Sequence, residues 1–105
     1  MICVAVFYPN ESGKKFDHAY YAQTHMPLVL KRCKRFGLTR YEIDRGLSGE
    51  SAESGAPFVC IGRLYFSSVD EFQKAMEAHG AEIMDDVRNY TDIQLQIQVS
   101  EMTAS

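Results

Sequence analysis

Apolar residues along this chain fall into short runs and stripes whose spacing switches between the two regular periods. Ile2 to Tyr8 is a run rich in β-branched and aromatic side chains, closed by Pro9 and Asn10, and it predicts a strand. Leu38 to Arg45 alternates, with Thr39, Tyr41 and Ile43 set against Arg40, Glu42 and Asp44, as an edge strand would. Phe58 to Phe66 predicts a third strand. Ile93 to Val99 predicts the fourth, Ile93, Leu95, Ile97 and Val99 facing one way and Gln94, Gln96 and Gln98 the other.

The intervening segments carry helical signals. Asp17 can cap a helix by accepting from a backbone N–H two or three residues on. Pro27 removes one donor and should push Met26 out of helical geometry. The reading is therefore a short helix over 18–25, a kink, and a second length to Phe36 with Gly37 as a left-handed stop. Ser68 and Glu71 form a capping box. Phe72, Ala75, Met76 and His79 then make a buried stripe that Gly80 should end, with a further short helix over 81–88 turning Ile83, Met84 and Val87 inward. The polar stretch from Gly46 to Pro57 is a loop, either slack or a cover for a site.

The order is βαββαβ. Right-handed crossovers turn it into a four-stranded antiparallel sheet with both helices on one face, the α+β ferredoxin-like arrangement, in one domain spanning residues 1–105. A sheet covered on one face should alternate in every strand. The two central strands do not. Ile2, Val4 and Val6 alternate with Cys3, Ala5 and Phe7, while Val59, Ile61 and Tyr65 alternate with Phe58, Cys60, Leu64 and Phe66. Leaving apolar surface wet costs roughly 25 cal/mol per Å2, so the bare face should be covered, and a second copy uses the same surface twice. The expectation is a homodimer, sheet against sheet: a dimeric α+β barrel with one cavity per subunit between sheet and helices.

Composition narrows the function classes. A formal charge of −3 gives no electrostatic case for nucleic acid or an anionic membrane. The one basic run, Lys31 to Arg35, falls where a helix C-terminus favours cations, or else forms a phosphate or carboxylate site. No signal peptide or membrane-spanning length is visible. Three well-separated cysteines, Cys3, Cys33 and Cys60, suit reduced thiols in a cytoplasmic protein better than a disulfide frame or a zinc site.

The candidate chemistry gathers in the run from Phe16 to Leu28. Tyr21 and His25 lie four apart on one helix face. Histidine moves protons near neutral pH, and a phenol can orient it or donate to a developing oxyanion. Alternatively His25 satisfies a carbonyl freed by Pro27 and the tyrosines pack at a dimer seam. A second polar cluster, Asp85, Asp86, Asn89, Tyr90, Thr91 and Asp92, precedes the last strand; an aspartate there either orients His25 or caps the strand entry. His18 and His79 read as surface and helix-end residues. No metal-ligand spacing, Gly-rich phosphate loop or Ser-His-Asp order is present.

Phe16-Asp17, Tyr20-Tyr21 and His25-Met26-Pro27-Leu28-Val29, with Gly62-Arg63-Leu64-Tyr65-Phe66, Ser68 to Phe72, Glu82-Ile83, Asp86-Val87 and Asn89 to Asp92, resemble the EthD-domain proteins, named from a component of ethyl tert-butyl ether degradation. The resemblance runs over essentially the whole chain. It implies a dimeric α+β barrel, a small apolar ligand, and no obligatory metal or organic cofactor. Tyr20, Tyr21, His25, Asp86 and Asn89 match the motif. Two classes of function follow. One is a cofactor-free enzyme (monooxygenase, isomerase, cyclase or dehydratase) acting on a small apolar or aromatic compound, with His25 as acid or base, Tyr21 and Asp86 as its partners, and Tyr20, Asn89, Phe7 and Phe66 against the ligand. The other is a non-catalytic carrier or accessory protein of a degradation pathway. Haem bound through His25 is a third.

Overall fold

Strand pairing in the computed structural model, which describes residues 1–104, follows the two apolar central runs. β1 (Ile2–Pro9) lies between β3 (Phe58–Phe66) and β4 (Gln96–Glu101), and β2 (Leu38–Arg45) pairs with the outer side of β3. All contacts are antiparallel, in the order β2-β3-β1-β4. The helices α2 (Met26–Cys33) and α3 (Val69–Asp86) share one face. There, Val4 meets Leu64, Val6 meets Gly62 and Tyr8 meets Cys60 across the central pair. Val4, Tyr8, Cys60 and Phe66 are almost completely buried, and α2 contributes Met26, Val29 and Cys33 to the same core. An Arg32–Glu82 ion pair at 2.9 Å joins the two helices and engages one member of the basic run.

The break at Pro27 takes a different form from the one expected. Asp17 caps α1 (His18–Tyr20), its side chain accepting from the Tyr20 N–H. The chain then widens into a π turn over Tyr21–His25 before α2 begins. The Met26 N–H donates to the Tyr21 carbonyl, five residues back. Met26 keeps helical angles, φ −66° and ψ −37°. A wider turn relieves the clash of the proline ring with the preceding turn. Gly37 ends the region at φ 87°, as expected for a left-handed stop.

Three other expectations are corrected. Gly80 does not end a helix; α3 runs through it from Val69 to Asp86, because tertiary packing on both sides outweighs a single unfavourable residue. Met84 is not turned fully inward but is 49% exposed. The regular part of the last strand starts at Gln96. Ile97 and Val99 lie opposite Val6 and Val4 on the helix side yet stay 50% and 41% exposed, because the helices leave that edge of the sheet bare.

The opposite face of the sheet is more mixed than the pattern suggested. Cys3, Ala5 and Phe7 stand opposite Tyr65, Arg63 and Ile61. The Arg40 guanidinium lies 3.9 Å over the Tyr65 ring, and the Tyr65 hydroxyl donates to Glu42 at 2.6 Å. Tyr65 is thereby covered within the subunit. Phe7 packs on Phe58, and together with Ile61 these residues remain half-buried.

Candidate active site

Distant segments are stitched together to build the site. The Asp17 N–H donates to the Tyr90 carbonyl at 2.8 Å. The Thr91 hydroxyl donates to the Lys15 carbonyl at 2.6 Å and accepts from the Ile93 N–H, while the Lys15 N–H donates to Asp92. The helix that carries Tyr20, Tyr21 and His25 is thus fixed against the end of α3, which carries Asp86 and, one turn later, Asn89 and Tyr90.

Asp86 is the hub. Its Oδ2 sits 2.9 Å from His25 Nδ1. Its Oδ1 accepts from the Tyr20 hydroxyl at 2.7 Å and from the Asn89 amide at 2.9 Å. Burial alone would raise this carboxyl, but hydrogen bonds from Tyr20, His25 and Asn89 outweigh it and hold the group below the ordinary range. His25 is buried, and desolvation lowers its imidazole despite the opposing pull of Asp86. At neutral pH the pair is therefore a carboxylate beside a neutral imidazole. A carboxylate can only accept, so the imidazole proton sits on Nδ1 and Nε2 keeps its lone pair. Of the two roles open to an aspartate here, orienting the histidine is the one the geometry fits. His25 does not satisfy a backbone carbonyl.

His25 lines a narrow cavity between sheet and helices of about 60 Å3, room for on the order of four waters. The walls are otherwise apolar or aromatic, with Val4, Val6, Met26, Val29, Leu64, Phe72, Met76, Ile83, Val87 and Leu95 around Tyr8, Tyr21 and Tyr90. Met84 and Ile97, half-exposed members of the lining, mark where it meets solvent. Among the described residues no cluster of His, Cys, Asp or Glu gathers as a metal ion would require.

Tyr21 stacks on His25, ring centroids 5.6 Å apart and planes at 16°. Its hydroxyl lies over Gly62, where a Cβ would come within 2.0 Å of it. Tyr20 and Asn89 reach the site through Asp86 and stand at its outer side. Phe7 and Phe66 are not brought to the cavity. Phe7 points from the opposite face of the sheet, and Phe66 is fully buried against Phe72. His18 packs at a tilt against Phe16 at the helix start and His79 packs on Phe36.

Sequence reasoning missed the pair Tyr8 and Tyr90, whose hydroxyls bond each other at 2.7 Å in the interior. Tyr90 lies 4.6 Å from the His25 ring, centroid to centroid. Desolvation raises all three buried phenols, Tyr8, Tyr21 and Tyr90, well above the ordinary tyrosine value, so they stay protonated. The signal was present for Tyr8, which continues the period-two set Ile2, Val4, Val6 toward the helices.

Fold and site together define a ferredoxin-like α+β domain with a histidine–carboxylate pair at an apolar cavity. The family model for the EthD domain matches residues 10–94, and the chain belongs to that family. It is similar to the solved structure of an EthD-like protein from Ralstonia eutropha JMP134, at 39% identity and a TM-score of 0.94, over 99% of this chain and 93% of that one. Two more distant structures share the fold: a dimeric ferredoxin-like protein from an uncultured marine organism (12% identity, TM-score 0.63, 100% and 97% covered) and a cofactor-independent oxygenase from Streptomyces nogalater (13%, 0.58, 99% and 93%). A curated relative, a DNA ligase of Alkalilimnicola ehrlichii, is 33% identical over 73 residues; the match takes in 70% of this chain but only 11% of the ligase's length.

Proposed function

We propose that the chain is a cofactor-independent enzyme that moves a proton on a small apolar or aromatic compound. His25 Nε2 takes the proton from the bound molecule, and Asp86 stabilises the imidazolium that forms. Tyr20 and Asn89 hold the far oxygen of Asp86, so that Oδ2 stays aimed at Nδ1. The single observation behind this reading is the 2.9 Å contact between His25 and Asp86 at the wall of an apolar cavity. A neutral, oriented imidazole in low dielectric is what proton abstraction near pH 7 requires. The cofactor-free part of the proposal draws support from the Streptomyces neighbour.

The working unit in this reading is a homodimer formed through the half-buried Phe7, Phe58 and Ile61 of the open sheet face, as the dimeric neighbour would suggest. No helix among the described residues is long and apolar enough to cross a membrane. A cytoplasmic place suits the three free thiols, and a role beside ether or aromatic degradation, with no nucleic-acid partner, completes the proposal.

The test is solvent deuterium wash-in to a panel of small enolisable aryl ketones. Exchange should be catalysed by the wild type and fall by about 10²-fold or more in His25→Ala. Equal exchange in the variant removes His25 as the base. Tight binding with no wild-type exchange makes the protein a carrier instead.

A further inference from the structure

The Tyr8–Tyr90 pair has a donor left over. Each phenol carries one O–H, and the 2.7 Å bond between them uses one. The accepting hydroxyl keeps its own proton, and among the described residues no carboxylate or carbonyl hydrogen-bonds either group. Tyr21 lies beside Tyr8, but it brings a proton of its own. Including it in the chain of hydroxyls moves the surplus donor without removing it. Both tyrosines are about 1% exposed and both line the cavity. A donor without an acceptor is costly in such surroundings, so water or a ligand oxygen must take it.

We infer that the Tyr8–Tyr90 hydroxyl pair is a hydrogen-bond donor site for an acceptor oxygen of the bound molecule, which is therefore not a hydrocarbon; the proton abstraction proposed for His25 makes that oxygen a carbonyl. The inference deepens the proposed function and rests on its reading of the cavity as a ligand site. The 4.6 Å separation of the Tyr90 and His25 rings puts that oxygen close to the atom losing its proton, as when a hydrogen α to a carbonyl is removed. In that step the C–H bond breaks, the proton goes to Nε2 of His25, and the electron pair moves onto the oxygen held by the phenol. No oxidant or second substrate is needed. Because the phenols stay protonated, they donate to the developing enolate and do not repel it.

Acetophenone and α-methylstyrene are close in shape and differ in the carbonyl oxygen, so they isolate this contact from the action of His25. The carbonyl stretch of acetophenone bound to the wild type should lie below its value in hexane. Tyr8→Phe/Tyr90→Phe should weaken acetophenone about tenfold, while α-methylstyrene changes less than twofold. Either single variant should retain most of the effect, because the remaining phenol still has its proton. A stretch equal to that in hexane overturns the inference, as does undiminished acetophenone affinity in the folded double variant. If the double variant does not fold, the wild-type stretch alone decides. A lowered stretch without deuterium wash-in would sink the enzymatic reading and leave the donor site standing, so the two failures are separable.

Discussion

Gly62→Ala tests how tightly the sheet is fitted to the site. A Cβ built at Gly62 falls 2.0 Å from the Tyr21 hydroxyl oxygen, 3.2 Å from its ring carbon and 3.5 Å from the Met26 methyl. The hydroxyl is the tip of a side chain, which could ordinarily swing aside. Here the ring is wedged among Tyr8, Phe16, Tyr90 and His25 at centroid distances of 5.4, 5.2, 5.1 and 5.6 Å. Relief requires moving the aromatic cluster or the strand. Overpacking of this sort costs about 1–3 kcal/mol, and in a domain of this size each kcal/mol lowers Tm by roughly 4–8 °C. Differential scanning calorimetry should therefore find Gly62→Ala melting roughly 4–24 °C lower. Deleting the hydroxyl leaves the 3.2 Å contact as the nearest, so in a Tyr21→Phe background the same substitution should cost less than about 1 kcal/mol. A cost below about 0.5 kcal/mol in the wild type, or an equal cost in both backgrounds, would refute the reasoning.

The remaining predictions concern charge, thiols and assembly. Burial lowers the folded His25 pKa from its ordinary 6.5, so between that lower value and about 6.5 the unfolded chain binds the extra proton. Stability should thus fall as pH drops through the interval and level off below it. His18, lowered mainly by burial as well, adds to the slope, so the contribution of His25 is read as wild type minus His25→Gln in melting curves from pH 7.5 to 5. Asp86 has the same sign in a lower window: its folded pKa lies under 3.8, and the stability it lends is present above that value and lost as pH falls through the folded value. Burial pushes the thiols of Cys33 and Cys60 up to about 11 and about 12, so a thiol reagent at pH 8 should modify at most Cys3 in the native protein and all three on unfolding. Ile61→Glu should convert a sedimenting dimer to monomer with the monomer still folded; an unchanged mass places the interface elsewhere.

Element order and the shared helix face were legible because strand and helix periods differ sharply, and because Asp17, Gly37 and Ser68 are strong local stops and starts. Gly80 misled because a helix interior can hold one glycine when both halves are anchored by packing. The stretch before Gln96 misled because its apolar alternation continues outside the regular ladder. The site was half legible. Spacing put Tyr21 and His25 on one face, but only the stitching of Asp17 to Tyr90 and of Lys15 to Asp92 brings Asp86 to the imidazole, and no local pattern encodes a contact across 61 residues. Register alone does not place Phe66: it shares the face of Leu64, which lines the cavity, but it is sealed against Phe72 beyond the cavity's end. Phe7 has the opposite register from Tyr8, and that difference of one residue decides which of the two reaches the cavity.

The charge state and proton position of His25 in the free protein test the central claim most directly. Long-range 1H–15N correlation at pH 7 reads both ring nitrogens. The expected result is a neutral ring with its hydrogen on Nδ1, facing Asp86, and a bare Nε2 whose resonance moves when acetophenone is added. A hydrogen on Nε2, or a doubly protonated ring at that pH, would contradict it.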